Sequence, residues 1–79
     1  MPKAPNSATI EATDIESFFR LVETLPEYDP EKPARRCNMF KQKFGRRWRP
    51  ICKGTCQRGT CGIVVTVGRR NIEAHCECS

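Results

Sequence analysis

Residues 52–78 read CKGTCQRGTCGIVVTVGRRNIEAHCEC and hold five of the six cysteines of this 79-residue chain. Gly62-Ile63-Val64-Val65-Thr66-Val67 is a β-branched run, the composition that suits a pleated strand. Gly68-Arg69-Arg70-Asn71 follows, with a residue tolerant of positive φ at each end, and predicts a tight turn. Ile72 to Cys78 then alternates. Ile72, Ala74, Cys76 and Cys78 point one way, and Glu73, His75 and Glu77 point the other. The stretch therefore predicts an antiparallel hairpin with two cysteines on the apolar face of its return strand. The hairpin also brings Cys61 near Cys76 or Cys78. Gly54 and Gly59 argue against a helix over residues 52–61, which read as two tight turns. Six cysteines (Cys37, Cys52, Cys56, Cys61, Cys76 and Cys78) allow 15 pairings, and spacing alone does not choose among them.

Two resemblances attach to these cysteines. The C-x3-C of Cys52 and Cys56, then Gly59-Thr60-Cys61, then the C-x-C of Cys76 and Cys78, resemble the cysteine-stabilised αβ family, the fold of many defensins. That resemblance implies a helix carrying Cys52 and Cys56. Cys56, Gly59-Thr60-Cys61, Cys76 and Cys78 also resemble the middle of an EGF-like module. Each covers about a third of the chain.

A chain of this length forms one domain, and its core alone stabilises a fold by no more than about 3–5 kcal/mol. Three disulfides, each adding on the order of 3 kcal/mol for a 15-residue loop, would exceed that. The even cysteine count favours an oxidising, secreted or periplasmic setting. Met1-Pro2-Lys3-Ala4-Pro5 is not followed by the apolar run of a signal peptide, which is the argument for the cytoplasm, with the cysteines binding zinc.

Charge divides by position. Residues 1–32 carry three Lys/Arg against seven Asp/Glu, net −4, and residues 33–79 carry eleven against two, net +9. A basic, cysteine-rich half behind an acidic arm points to an anionic partner or to self-neutralisation.

Residues 1–12 contain Pro2 and Pro5, show no period, and predict a flexible arm. Thr13-Asp-Ile-Glu16 has the pattern of a capping box, with Thr13 as N-cap. Ile15, Phe18, Phe19, Val22 and Leu25 make one apolar stripe, with Leu21 on its flank, and Pro26 stops the helix. Residues 13–25 thus predict an amphipathic helix. Being too short to persist alone, it must dock on the body or on a protein partner. Residues 26–33, with three prolines, predict a stiff linker. Residues 34–79 predict a cysteine-rich basic domain. Within it Cys37, Phe40 and Phe44 share helical spacing, which predicts a second, shorter helix ending near Gly45, with Cys37 tied to the rest by a disulfide.

Lys41, Lys43, Arg46, Arg47, Trp48 and Arg49 form the strongest candidate binding patch, and Arg69 and Arg70 extend it from the hairpin turn. Arginine forks match phosphates and carboxylates, while exposed rings stack on bases or enter a membrane interface. The competing reading puts Phe44 and Trp48 in the core. Cys52, Cys56, Cys61, His75, Cys76 and Cys78 are zinc-type ligands, but paired C-x2-C knuckles are absent and His75 faces away from Cys76. No catalytic triad, C-x-x-C pair or phosphate loop is present, and no cofactor is implied.

The sequence therefore predicts a small disulfide-rich α+β domain. An N-terminal amphipathic helix precedes a C-terminal antiparallel hairpin or three-stranded sheet. The predicted function is non-enzymatic binding of an acidic protein or an anionic membrane surface, in an antimicrobial or inhibitory role. The alternative is an intracellular, zinc-stabilised protein that binds nucleic acid. In a third reading, Thr13 to Leu25 is the handle by which another protein recognises a precursor.

Overall fold

The computed structural model describes residues 9–79. The arm predicted for residues 1–8 lies outside the described residues. The elements run β1 (Thr9–Ala12), α1 (Ile15–Glu23), β2 (Asn38–Phe44), β3 (Arg47–Lys53), β4 (Cys61–Val67) and β5 (Ile72–Cys78). They form a three-stranded antiparallel sheet in the order β1-β5-β4 and a separate antiparallel hairpin β2-β3. The chain is a small disulfide-rich α+β domain, as its cysteines and helix period predict.

The β4-β5 hairpin has the register its alternation requires, from Cys61 opposite Cys78 to Val67 opposite Ile72. Gly68 N–H donates to the Asn71 carbonyl at 2.8 Å and closes the turn. Neither turn residue adopts positive φ, so that part of the expectation does not hold. Across the other edge of β5, Ile10 stands opposite Ala74 and Ala12 opposite Ile72. Those small and apolar residues make the sheet's inner face. Thr9–Ala12 is therefore a strand, not part of an arm. Four residues hold no structure by themselves, and this strand exists through its pairing with β5.

The second correction concerns residues 34–48. Instead of a helix, Asn38–Phe44 is a strand paired with Arg47–Lys53 over seven register positions. Phe40 and Phe44, four residues apart, also fit a period of two, sharing one face with Met39 on the other. The ladder and the cysteine at each end of the hairpin decide between the periods. Cys52 and Cys56 lie on β3 and in the loop after it, not on a helix, so the helix implied by the cysteine-stabilised αβ resemblance is absent. Gly54 makes that loop possible. Its φ is +133°, and a Cβ there would run into the Arg36 carbonyl.

Three disulfides join the two layers: Cys37–Cys61, Cys52–Cys76 and Cys56–Cys78, with Cα separations of 5.4, 5.8 and 5.9 Å. The Cys52–Cys76 bond runs from β3 to the central strand β5, and Cys52 is buried. Such bonds are compatible with an oxidising extracellular or periplasmic compartment. Among the described residues, no helix is long and apolar enough to cross a membrane.

The helix ends where Pro26 demands but begins one residue later than predicted. Asp14, in extended conformation, is the N-cap, and its carboxylate accepts from the Ser17 N–H at 2.8 Å. Thr13 precedes the cap. Asp is a somewhat better cap than Thr. The stripe docks on this chain's own body: Phe18 and Val22 are buried, and Leu21 and Leu25 pack against the core. Ile10, Ala12, Met39, Cys52 and Ala74 complete that core.

The proline-rich segment is clamped at its start and turns at Asp29, whose carbonyl accepts from the Lys32 N–H at 3.0 Å. Lys41 N–H donates to the Pro26 carbonyl at 2.8 Å, and Tyr28 N–H donates to the Lys41 carbonyl at 3.0 Å. Those bonds cover the outer edge of β2. Because Lys41 turns both backbone groups outward, its register partner Pro50 points its nitrogen away from β2 as well. The outer edge of β3 therefore lacks a donor at Pro50, a device that blunts edge pairing.

Two outcomes are expected. Met39 is 1% exposed. Met39→Ala should cost about 2–5 kcal/mol in denaturant unfolding of the oxidised protein. The Ser17 N–H holds the Asp14 carboxyl below the ordinary carboxylate range. The stability it contributes is present above that range and is lost as pH falls through the lowered value. Asp14→Asn should flatten this acid limb of a thermal-melt series, whereas Thr13→Ala should leave it in place.

Candidate functional site: a cationic hairpin

The β2-β3 hairpin owes its shape to a two-residue turn. Phe44 stands opposite Arg47, and between them Gly45 takes φ +65° while Arg46 does not use positive φ. Positive φ at the first central position alone is the pattern of a type II′ turn, whose twist matches the strands it joins. Lys41, Lys43, Arg46, Arg47, Trp48 and Arg49 all lie on this hairpin, as the sequence indicates, but pleating distributes them over two faces.

Met39 and Cys52 are opposed and buried, which defines the inner face. Lys41, opposite Pro50, and Lys43, opposite Trp48, share that face. Trp48 packs partly against the core, and both ammonium groups sit over its ring, at 4.5 and 5.3 Å from the centroid. Lys41 Nζ also donates to the Glu23 carbonyl at 2.9 Å. That carbonyl is at the negative end of α1, where a cation is favoured. Lys41 is thus largely committed to the fold.

The outer face carries Asn38, Phe40, Gln42 and Phe44 from β2 and Arg47, Arg49, Ile51 and Lys53 from β3. Three of these, Phe40, Phe44 and Ile51, are apolar or aromatic, and none is Asp or Glu. The Arg49 guanidinium lies 5.5 Å from the Phe44 ring, and Lys53 Nζ lies 5.8 Å from the ring of Tyr28, which meets Phe40 edge-on at 5.8 Å. Phe44 is 49% exposed. The core reading therefore holds in part for Trp48 and fails for Phe44. Phe40, Gln42, Lys53 and Tyr28 belong with the site although the sequence patch omitted them. Period-two reading of residues 38–53 would have included the first three; Tyr28 arrives only through the clamped linker.

At the turn end, Arg47 reaches back so that its guanidinium lies 4.9 Å from the Phe19 ring. Here α1 and β3 border an open groove of about 420 Å³ with Phe19 and Trp48 in its lining. Glu16 and Glu23 line it beside Arg20, Arg46 and Arg47. The two carboxylates oppose an anionic ligand there, so the outer face is the better anion surface. Arg69 and Arg70 are exposed in the turn of the other hairpin, and no contact joins them to this face.

The electrostatics are unusual for so charged a chain. Among the described residues, no Lys or Arg comes within 4 Å of a carboxylate. The acidic linker is clamped beside β2 yet forms no ion pair with it. A cluster of carboxylates around His75 lies on the outer face of the three-stranded sheet. There His75 Nε2 is 2.8 Å from Glu77 and Nδ1 is 4.0 Å from Glu73. His75 thus faces away from the cysteines, as the alternation of β5 requires.

No family model matches this chain, and no curated protein or solved structure is significantly similar to it.

Gly45→Val should strain the turn, since a β-branched residue resists positive φ. The expected result is faster amide hydrogen exchange confined to Phe44, Arg47 and their neighbours on β2 and β3, with exchange in β5 unchanged.

Proposed function

We propose that this chain is a non-enzymatic, disulfide-stapled cationic binding module of the extracellular or periplasmic space. Its partner is an anionic surface, on an acidic protein or a membrane, and the contact is made by the outer face of the β2-β3 hairpin. Antimicrobial or inhibitory action belongs to this class of function. One observation carries the proposal: the described Lys and Arg side chains are left without carboxylate partners while Arg49 and Lys53 are aligned over rings on a face free of acid. Cations already held against rings lose less freedom when an anion arrives. An unpaired basic surface also steers anionic partners toward it.

The carboxylates sit off this face, on α1, in the linker and on the outer face of the three-stranded sheet. An incoming anion therefore displaces no internal ion pair. Enzymatic chemistry has no support in the residues near the groove, where Glu16 and Glu23 share space with arginines and no nucleophile is present.

The decisive comparison is a pair of charge reversals assayed against vesicles rich in anionic lipid and against an acidic polypeptide, across a salt series. Arg49→Glu with Lys53→Glu should weaken binding roughly tenfold or more, the equivalent of about 1.4 kcal/mol. Arg69→Glu with Arg70→Glu should change it little. Equal losses from both pairs would show that net charge alone is being read and would remove the assigned face.

A second reading, nucleic-acid binding, is favoured by one feature: Phe44 is half-exposed and backed by Arg49. Ring stacking on a base is worth about 1–3 kcal/mol by alanine substitution. Phe44→Ala should therefore sharply reduce affinity for a single-stranded oligonucleotide if bases are stacked. It should leave affinity for an acidic polypeptide nearly unchanged.

A further inference from the structure

The disulfides Cys37–Cys61 and Cys56–Cys78 lie side by side. The Sγ atoms of Cys37, Cys56 and Cys78 are all within 4.8 Å of one another, and Cys61 is bonded to the first of them. The two bonds thus gather at one end of the molecule. Cys52–Cys76, which holds the middle of the layers, stands apart from this cluster.

The backbone, and not only the disulfides, brings these four residues together. Thr60 and Ser79 exchange both N–H···O bonds, at 2.6 and 3.0 Å. The next pair along the ladder, Cys61 opposite Cys78, is therefore a non-hydrogen-bonded pair, the kind in which side chains stand closest. On the other layer, Cys37 N–H donates to the Thr55 carbonyl at 3.2 Å, which puts Cys37 beside Cys56. Each layer thus presents two neighbouring cysteines, and the two pairs face each other.

From this geometry we propose that Cys37, Cys56, Cys61 and Cys78 form a four-thiolate site for zinc when a dithiol reductant opens the two disulfides. Each disulfide takes two electrons and two protons from one dithiol, which leaves as its own cyclic disulfide, so two dithiols yield four thiols. Zn²⁺ then replaces the four thiol protons, which pass to solvent. Zinc prefers four sulfurs at about 2.3 Å in a tetrahedron, which puts the sulfurs roughly 3.8 Å apart. Cys37, Cys56 and Cys78 already lie within 4.8 Å of one another, and opening the Cys37–Cys61 bond frees Cys61 to complete the tetrahedron. A zinc ion with four thiolates carries two negative charges. Arg36, next to Cys37, and Arg58, between Cys56 and Cys61, supply cationic sequence neighbours and no acid lies between them and the cysteines.

The ligand set is specific. His75 is excluded because it lies on the outer face of β5, engaged with Glu77 and Glu73. Cys52 and Cys76 are excluded because their bond belongs to the core, where Cys52 is buried and a reductant reaches last. Cys78, by contrast, is exposed. The site is independent of the cationic face, so it can stand or fall separately from the proposed binding function.

The test uses the full chain. Oxidised protein is treated with a limited excess of a dithiol, supplied with Zn²⁺ or Co²⁺, and examined by native mass, cobalt absorption and alkylation mapping. One metal ion per chain is expected, with the absorption of tetrahedral thiolate cobalt. Cys37, Cys56, Cys61 and Cys78 should be protected from alkylation and Cys52–Cys76 should remain bonded. His75→Ala should bind equally. Cys56→Ser with Cys78→Ser should lose stoichiometric uptake. Protection of any other cysteine set in the wild-type chain, uptake that depends on His75, or no metal uptake by protein bearing the four free thiols would each overturn the assignment. Since protection is mapped on the wild-type chain, a variant that fails to fold does not decide the result.

Discussion

The Cys52–Cys76 bond is the constraint on which the rest of the structure depends. It joins β3 of the hairpin to the central strand of the other sheet, from a buried position. Once those strands are fixed face to face, the inner face of each sheet has only one place to go. Met39 and Cys52 from one layer meet Ala74 from the other, and α1 closes the remaining side with Phe18 and Val22. The buried set is small, with two alanines among its seven members. A core of that size is weak, and covalent links that restrict the unfolded chain make up the difference. The flanking bonds, Cys37–Cys61 and Cys56–Cys78, then gather the strand ends.

That economy leaves side chains free that a larger domain would commit. Cations of the β2-β3 hairpin lie over aromatic rings instead of pairing with carboxylates. Such contacts keep the charge available to solvent, whereas an ion pair would neutralise it. The acidic half of the chain is spent differently. Asp14 caps the helix, Asp29 accepts from the Glu31 N–H in a turn, and the linker backbone clamps β2. The opposite signs of the two halves therefore reflect separate structural duties more than mutual neutralisation.

Much of the architecture could be read from local pattern. The β4-β5 hairpin follows from β-branched composition and strict alternation, and the alternation also set His75 apart from Cys76. The amphipathic helix follows from its stripe and from Pro26. The cap moved from Thr13 to Asp14 because two adjacent capping residues compete, and Asp14 is the one whose carboxylate accepts from the Ser17 N–H. The β2-β3 hairpin was not legible, because Phe40 and Phe44, four residues apart, satisfy helical and strand spacing alike. β1 was not legible either, since Thr9–Ala12 carries no periodic signal long enough to detect. For the candidate site, the basic residues were identifiable one by one, but not which of them share a face.

By itself, then, the sequence determined the class of the protein: small, stapled, basic in its second half, with one amphipathic helix and one hairpin. Those features depend on contacts between near neighbours, which composition and period report directly. Tertiary structure alone decided the cysteine pairing, the partner of β1, and the division of Lys41, Lys43, Arg47 and Arg49 between an inner and an outer face. Each of these depends on residues far apart in the chain, and local propensity has no term for what a distant strand will offer.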